Sequence, residues 1–460
     1  MTHLKFRRIL IFAIALLSLL LPLNAQTKKD VKKSNQLIEQ GNKDFRQKNY
    51  TAAIEQYSQA IATVPKNAPA HFWKGYAHYY LKQPDQALSE LSLAADQGYP
   101  AIEIYKVRWF LNFERKDYDA ALKDVDAALQ IEPKNLTLLR AAGDINLQKG
   151  NFREALRAYQ ETSLATPNDA DLFYRIASAQ QGLNDPAGQA KAAEEAIAKR
   201  TQFLADAYFI LGDAYQKQHR MSDAANAYEK ALNSRPDVFA AYRSLSNIYR
   251  SENRFDDAIA ISKRGLRQFP LNGELYTDLS WYYSLAGRNE EAIDAAKAGI
   301  QILPNRSAAY TNLCRAYNEV NKPEMAIREC TNALKINAED GETHFYLGRA
   351  YDLVGKNPEA VRNYERSVSE LVKFTRDNPD ESEGFYLLGN AYFATGNREK
   401  AIDAYRKCLA LSPKFAKAKF NLGRVLVIQK NRQGAMEQYS GLRTLDPALA
   451  EKLKAEIDKL

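Results

Sequence analysis

Small residues recur along this 460-residue chain at a spacing that a single globular core would not impose. Alanine stands at Ala53, Ala87, Ala121, Ala155, Ala224, Ala258, Ala292, Ala326, Ala360, Ala401 and Ala435, with Gln189 in the one interrupted place. Twelve residues before each lies a second column: Gly41, Gly75, Trp109, Gly143, Ala177, Gly212, Ser246, Ser280, Cys314, Gly348, Gly389 and Gly423. All but Trp109 are small. A third small column follows the alanines by seven residues (Ala60, Ala94, Ala128, Ala196, Ala231, Ala333), and proline closes the unit, as at Pro65, Pro236 and Pro413. The step is 34 residues in nine of eleven intervals, with one of 35 and one of 41. A fixed step of this length marks stacked supersecondary units rather than independent domains.

The spacing also says what each unit is. Small residues along one line let two helices approach closely, because interaxial distance follows side-chain size at the contact. Between the glycine and alanine columns, one register holds Gly150, Gly287, Gly355 and Gly396, and elsewhere Asn184, Asn253 and Asn321. Glycine and asparagine tolerate the left-handed conformation that ends a helix. Each unit therefore reads as helix, turn, helix, with proline stopping the second helix.

These columns resemble the tetratricopeptide repeat (TPR) family. Tyr208-Phe209-Ile210-Leu211-Gly212-Asp213-Ala214-Tyr215, followed by Ala224 and by Tyr228-Glu229-Lys230-Ala231-Leu232, carry the motif almost whole. The match runs from about Ser34 to Pro447. The resemblance implies an all-α solenoid, a right-handed superhelix of twelve hairpins whose concave groove binds other proteins or extended peptides. A lone hairpin cannot bury its apolar face, so neighbours stack and the last needs a cap. Residues 448–460, with Leu449, Leu453, Ile457 and Leu460 on one stripe, read as that capping helix.

Besides Trp109, the array departs from its own rule in two places. In the fifth unit, Gln189 and Pro186 break the pattern and one extra residue precedes the sixth, which divides the repeats into 34–203 and 204–447. Sequence drift and a softer junction both account for this. Unit ten carries seven extra residues, within Ser367–Asp377. Seven residues make nearly two turns, so a lengthened second helix keeps its buried face.

The residue after the small column, by resemblance to the family, lines the concave face. Early in the array it is Tyr76 and Phe110, with Trp73 a turn before Tyr76, in a cluster that includes Trp109. Groove and core are equally good readings of that cluster. Later the same column reads Asn247, Trp281, Arg315, Arg349, Asn390 and Arg424, with Asn312 and Asn421 nearby and Lys417 a turn before Asn421. Asparagine can hold an extended peptide backbone, and arginine can clamp a carboxylate through two bonds. Some TPR proteins bind chain-terminal carboxylates with lysine, asparagine and arginine from three units. Arg243 and Asn247 begin such a set here, but Asp278 and Ala308 do not continue it.

Residues 1–25 read as a signal peptide. Lys5, Arg7 and Arg8 precede an apolar run from Ile9 to Leu23, and Leu23-Asn24-Ala25 offers a small residue for cleavage. The run is short for a membrane span of about 20 residues. Residues 26–33 then form a polar linker. The expectation is an exported protein, periplasmic or secreted, touching membrane only if that segment stays uncleaved. Removing it takes three basic residues from the net charge of +8, and beyond Lys28–Lys33 no dense basic run remains to imply nucleic acid.

In an oxidising compartment Cys314 and Cys330 face each other across the turn of unit nine. A disulfide and two buried thiols are both open readings. Neither a phosphate loop nor a nucleophile elbow nor a metal cluster appears, and the repeats leave no stretch for a catalytic domain. The expected function is a non-enzymatic binding scaffold without a cofactor. A subunit of a secretion or polysaccharide-export assembly is the alternative, and catalysis by groove residues comes last.

Overall fold

The computed structural model describes residues 27–460. The expected signal segment and its cleavage site lie outside them. Among the described residues every regular element is a helix. The first hairpins are α1 (Lys28–Arg46) with α2 (Tyr50–Thr63), α3 (Ala68–Tyr80) with α4 (Pro84–Asp96), and α5 (Ala101–Glu114) with α6 (Tyr118–Ile131). Then come α7 (Leu136–Lys149) with α8 (Phe152–Ala165), and α9 (Ala170–Gly182) with α10 (Pro186–Ala198). The sixth to eighth are α11 (Leu204–Lys217) with α12 (Met221–Ser234), α13 (Phe239–Ser251) with α14 (Phe255–Gln268), and α15 (Gly273–Leu285) with α16 (Asn289–Ile302). The ninth and tenth are α17 (Ser307–Glu319) with α18 (Pro323–Ile336), and α19 (Gly341–Leu353) with α20 (Asn357–Asp377). The last two are α21 (Ser382–Ala394) with α22 (Arg398–Leu411), and α23 (Ala416–Ile428) with α24 (Arg432–Leu442). A single helix, α25 (Pro447–Ile457), follows.

Contacts group the chain into two compact units that meet in sequence at Gln202 and Phe203. The first holds hairpins one to five, the second hairpins six to twelve and α25. Within each unit a hairpin's first helix packs on the second helix of the hairpin before it. Successive first helices also touch, as α3 does with α1 in the first unit and α17 with α15 and α19 with α17 in the second.

Every hairpin turns in the same way. The residue five before the alanine column has a positive φ in all twelve, from Lys48 (64°) to Lys430 (58°). The alanines of the column are all fully buried, and Gln189, in their register, is buried too. They form the seam on which the two helices close.

Residues sixteen apart share the slot above that seam. A Cβ added at Gly143 would lie 2.3 Å from the Tyr159 ring, and at Gly389 2.5 Å from Tyr405. Gly41 with Tyr57, Gly212 with Tyr228 and Gly348 with Tyr364 repeat the arrangement. Where tyrosine is missing, the first position can carry a side chain. Ser246 meets Ser262 at 3.2 Å, and Cys314 is bonded to Cys330 in a disulfide with Cα atoms 5.3 Å apart. Large-with-nothing and small-with-small both fill the space, as close packing requires.

The seven extra residues of unit ten lengthen α20 to 21 residues, against 13 or 14 in most other helices. Its added turns lay Phe374 and Thr375 against Gly384 of α21, while Phe374 keeps 45% of its surface exposed. At the end of the array α25 buries Ala450, Leu453 and Ile457, and Leu453 fills the space over Gly423. Leu460 lies beyond the helix and is exposed.

Candidate functional site

The first helices of hairpins eight to twelve line a cavity of about 860 Å³ in the second unit. Trp281, Arg315, Arg349, Asn390, Asn421 and Arg424 all reach it, as does Lys417. Trp281, Arg315, Arg349, Asn390 and Arg424 share one register, and equivalent positions of stacked hairpins recur on one face, while Asn421 and Lys417 stand one and two turns earlier on the helix of Arg424. Aromatic rings fill the spaces between them, among them Phe345, Tyr346, Tyr386 and Phe420.

The polar groups form a network rather than a loose rim. Arg315 donates to Glu342 at 2.8 Å and to Asn312 Oδ1 at 2.8 Å, with its guanidinium 5.2 Å from the centre of the Tyr346 ring. Its Nε is buried and has no acceptor. Arg349 donates to Glu319 at 2.6 Å, and Arg424 to Glu456 at 3.1 Å. Tyr405, passing beneath Gly389, donates to Asn390 Oδ1 at 2.7 Å, which Asn421 also reaches at 2.8 Å. The slot chemistry of the hairpin therefore orients an amide on the concave face.

Burial shapes the ionisation of this wall. It pushes the Glu342 carboxyl up to about 7, with Asp340 and Glu383 adding to the rise and Arg315 opposing it. Glu383 is likewise raised by burial, against the pull of Arg250 and Arg315. Lys417 makes no ion pair among the described residues, and burial followed by the neighbouring Arg315 charge lowers its pKa.

Two contacts join parts of the second unit that are far apart in sequence. Arg250, on α13, pairs with Glu383 at the start of α21 and lies 4.5 Å over the Trp281 ring. Asn253 donates to the Lys414 carbonyl at 3.1 Å. The curvature thus brings hairpin seven to the start of hairpin eleven, beside the cavity that Trp281 and Glu383 line.

Other expected groove residues are placed differently. Asn247 accepts from the Tyr282 hydroxyl at 3.1 Å, and Asn312 is buried, donating to the Thr277 carbonyl at 3.0 Å. Both lie outside the cavity lining and hold first helices together. Arg243 is taken by Asp278 at 2.9 Å and Glu274 at 3.0 Å, so the residue that breaks the carboxylate-binding set neutralises its first member.

In the first unit, Trp73, Tyr76 and Phe110 are half-buried in a run of touching rings. Phe45 stacks on Tyr76 (5.4 Å), Tyr76 on Tyr79 (5.8 Å), and Tyr79 meets Phe110 edge-on (5.8 Å). Trp109 packs against the buried cluster that includes Val125. The cluster is part core and part surface. No His, Cys, Asp and Glu group suited to a metal ion occurs among the described residues.

Glu342, Glu383 and Arg250 stand outside the columns that the repeat pattern marks. The two glutamates stand six residues before the small column, a register they share with Lys417 and Glu274. That column is legible once the concave face is known to extend a turn and a half toward each helix start.

A solenoid of helical hairpins with charged and aromatic residues on its inner face is a repeat scaffold for protein interaction. Tetratricopeptide repeat profiles match residues 41–81, 112–177, 209–270 and 382–415, and the chain belongs to this family. The fission yeast Schizosaccharomyces pombe DnaJ homolog subfamily C member 7 homolog is 27% identical over 227 residues, covering 47% of this chain and 46% of that protein. Small glutamine-rich tetratricopeptide repeat-containing protein 2 of Saccharomyces cerevisiae is 33% identical over 164 residues, 35% of this chain and 45% of its own. The chain thus spans less than half of either relative. The crystal structure of yeast Tom70 aligns over 92% of this chain and 94% of that one, with 14% identity and a TM-score of 0.41.

Proposed function

We propose that this protein is a non-enzymatic scaffold that holds an extended segment of another polypeptide in the groove of hairpins eight to twelve, outside the cytoplasm. The observation that carries the reading is the 860 Å³ cavity, where amides, cations and aromatic rings converge from successive first helices. Its size is within the range of ligand sites, and rings with a few fixed polar groups suit side-chain anchoring along a peptide. Asn390, its oxygen fixed by Tyr405 and Asn421, can turn its amide nitrogen to a backbone that has lost its water, and Arg349 lines the same cavity. The Cys314–Cys330 disulfide supports export, because such bonds persist in oxidising compartments. The basic and apolar segment before Ala25 points the same way.

A photo-crosslinking residue at Phe420, in the cavity, is expected to capture a protein partner in cells. The same group at Leu164, 85% exposed on the first unit, is expected to capture none. Equal capture at both positions would remove the groove from the argument. Mass spectrometry of the purified protein is expected to find Gln26 as its first residue, and a chain that keeps residues 1–25 would refute cleavage there.

A further inference from the structure

The contact between hairpins seven and eleven has the makings of a ligand subsite already filled. A tryptophan face and a carboxylate are the two groups that best receive a guanidinium, one through the ring quadrupole and one through charge-assisted bonds. Trp281 and Glu383 both line the cavity, and they come from different hairpins, eight and eleven. Arg250 enters between them from hairpin seven, 133 residues before Glu383 in sequence. A pairing of the same type lies nearby, where Arg315 sits between the Tyr346 ring and Glu342, all from adjacent hairpins. Arg315 takes both partners from the adjacent hairpin, whereas Arg250 takes Trp281 from the adjacent hairpin and Glu383 from one four hairpins further on.

The fit of Arg250 is incomplete. Its bond to Glu383 uses one terminal nitrogen, and its Nε is buried with no acceptor. A guanidinium free to approach along the groove could present two parallel donors to the same carboxylate. The Asn253–Lys414 bond ties hairpin seven to the segment after hairpin eleven independently, so Arg250 is not the only tie there.

We propose that Arg250 is a built-in competitor, occupying the Trp281–Glu383 subsite until an arginine of the bound polypeptide displaces it. The reading rests on the groove being the binding site. The partner it implies is an extended segment with an arginine among residues that suit the aromatic wall. Arg315 and Lys417 also face Glu383, and they limit the subsite to one incoming cation.

The test pans a random twelve-residue peptide display library against the full chain and against Arg250→Met, which keeps the stem over Trp281 without the charge. Arg250→Gln serves as a second variant, and the circular dichroism of both is compared with the parent. Clones are expected to be enriched in arginine, to lose binding when that arginine is replaced by citrulline or when Glu383→Gln is introduced, and to bind either Arg250 variant about ten-fold more tightly. Clones that need Arg349 or Asn390 but show no arginine preference and no gain would overturn the competitor and leave the groove standing. Clones indifferent to Glu383, Arg349 and Asn390 alike would overturn both.

Discussion

Where Gly143 stands, a methyl group would lie 2.3 Å from the Tyr159 ring, which can yield only by moving out of a fully buried position. Gly143→Ala is therefore expected to cost about 1–3 kcal/mol, the usual penalty of overpacking. Tyr159→Leu should relieve part of it, so the double substitution should cost less than the sum of the singles in urea titrations. Additive losses would refute the shared slot. At the same scale, Glu342 gives the protein a pH dependence. Its carboxyl rises from 4.5 to about 7, so between those values the folded chain holds more protons than the unfolded one. Stability accordingly falls as pH rises through that window. The side chain keeps 31% of its surface in the cavity, which moderates the effect. The urea midpoint should fall from pH 5 to pH 8, and Glu342→Gln should flatten the fall without abolishing it, since Glu383 acts in the same direction. An unchanged slope in the variant would show that Glu342 titrates normally.

Hairpin nine fills its slot covalently, and the disulfide closes a loop of sixteen residues. A loop near that length confers about 3 kcal/mol by restricting the unfolded chain. Replacing both cysteines by serine copies the Ser246–Ser262 slot, so the hairpin should still form while stability drops by about 2–3 kcal/mol. Cys408 is buried and its thiol is pushed up to about 12, so thiols must be counted in denaturant. One thiol without reductant and three with it are expected; three in both would remove the bridge. The elements themselves were largely legible. Columns of small residues and the turn register placed the hairpins, because packing and left-handed backbone restrict composition there. Yet glycine or asparagine marks only seven of the twelve turns. Lysine or histidine takes the same backbone at Lys48, Lys82, Lys116, His219 and Lys430, where the closed hairpin dictates the conformation. The cavity was legible where one register carried it, as at Arg315, Arg349 and Asn390. The Arg250–Glu383 contact was not, because it depends on the curvature summed over four hairpins rather than on any local pattern.

At the scale of the whole molecule, stability comes from neighbour on neighbour, so damage should stay close to where it is made. The second unit ends in α25, whose Leu453 and Ile457 complete a core with Leu422, Val425, Leu426 and Leu442. Leu453→Ala empties the space over Gly423 and should cost about 2–5 kcal/mol at that end, as large-to-small changes in a core do. In a compact domain such a loss lowers protection throughout. In an array it should fray hairpin twelve first, then hairpin eleven, and leave hairpins six to eight as protected as before. Hydrogen exchange read by mass spectrometry separates the two outcomes peptide by peptide. Arg424 links this end to the groove, since it lines the cavity and is paired with Glu456 on α25. Fraying of the cap should therefore release Arg424 and weaken any ligand that depends on Asn421, while contacts at Trp281 persist. Uniform loss of protection across residues 203–460 would mean that the curve closed by Arg250 and Asn253 makes this unit behave as a single cooperative body, and the nearest-neighbour description would fail for it.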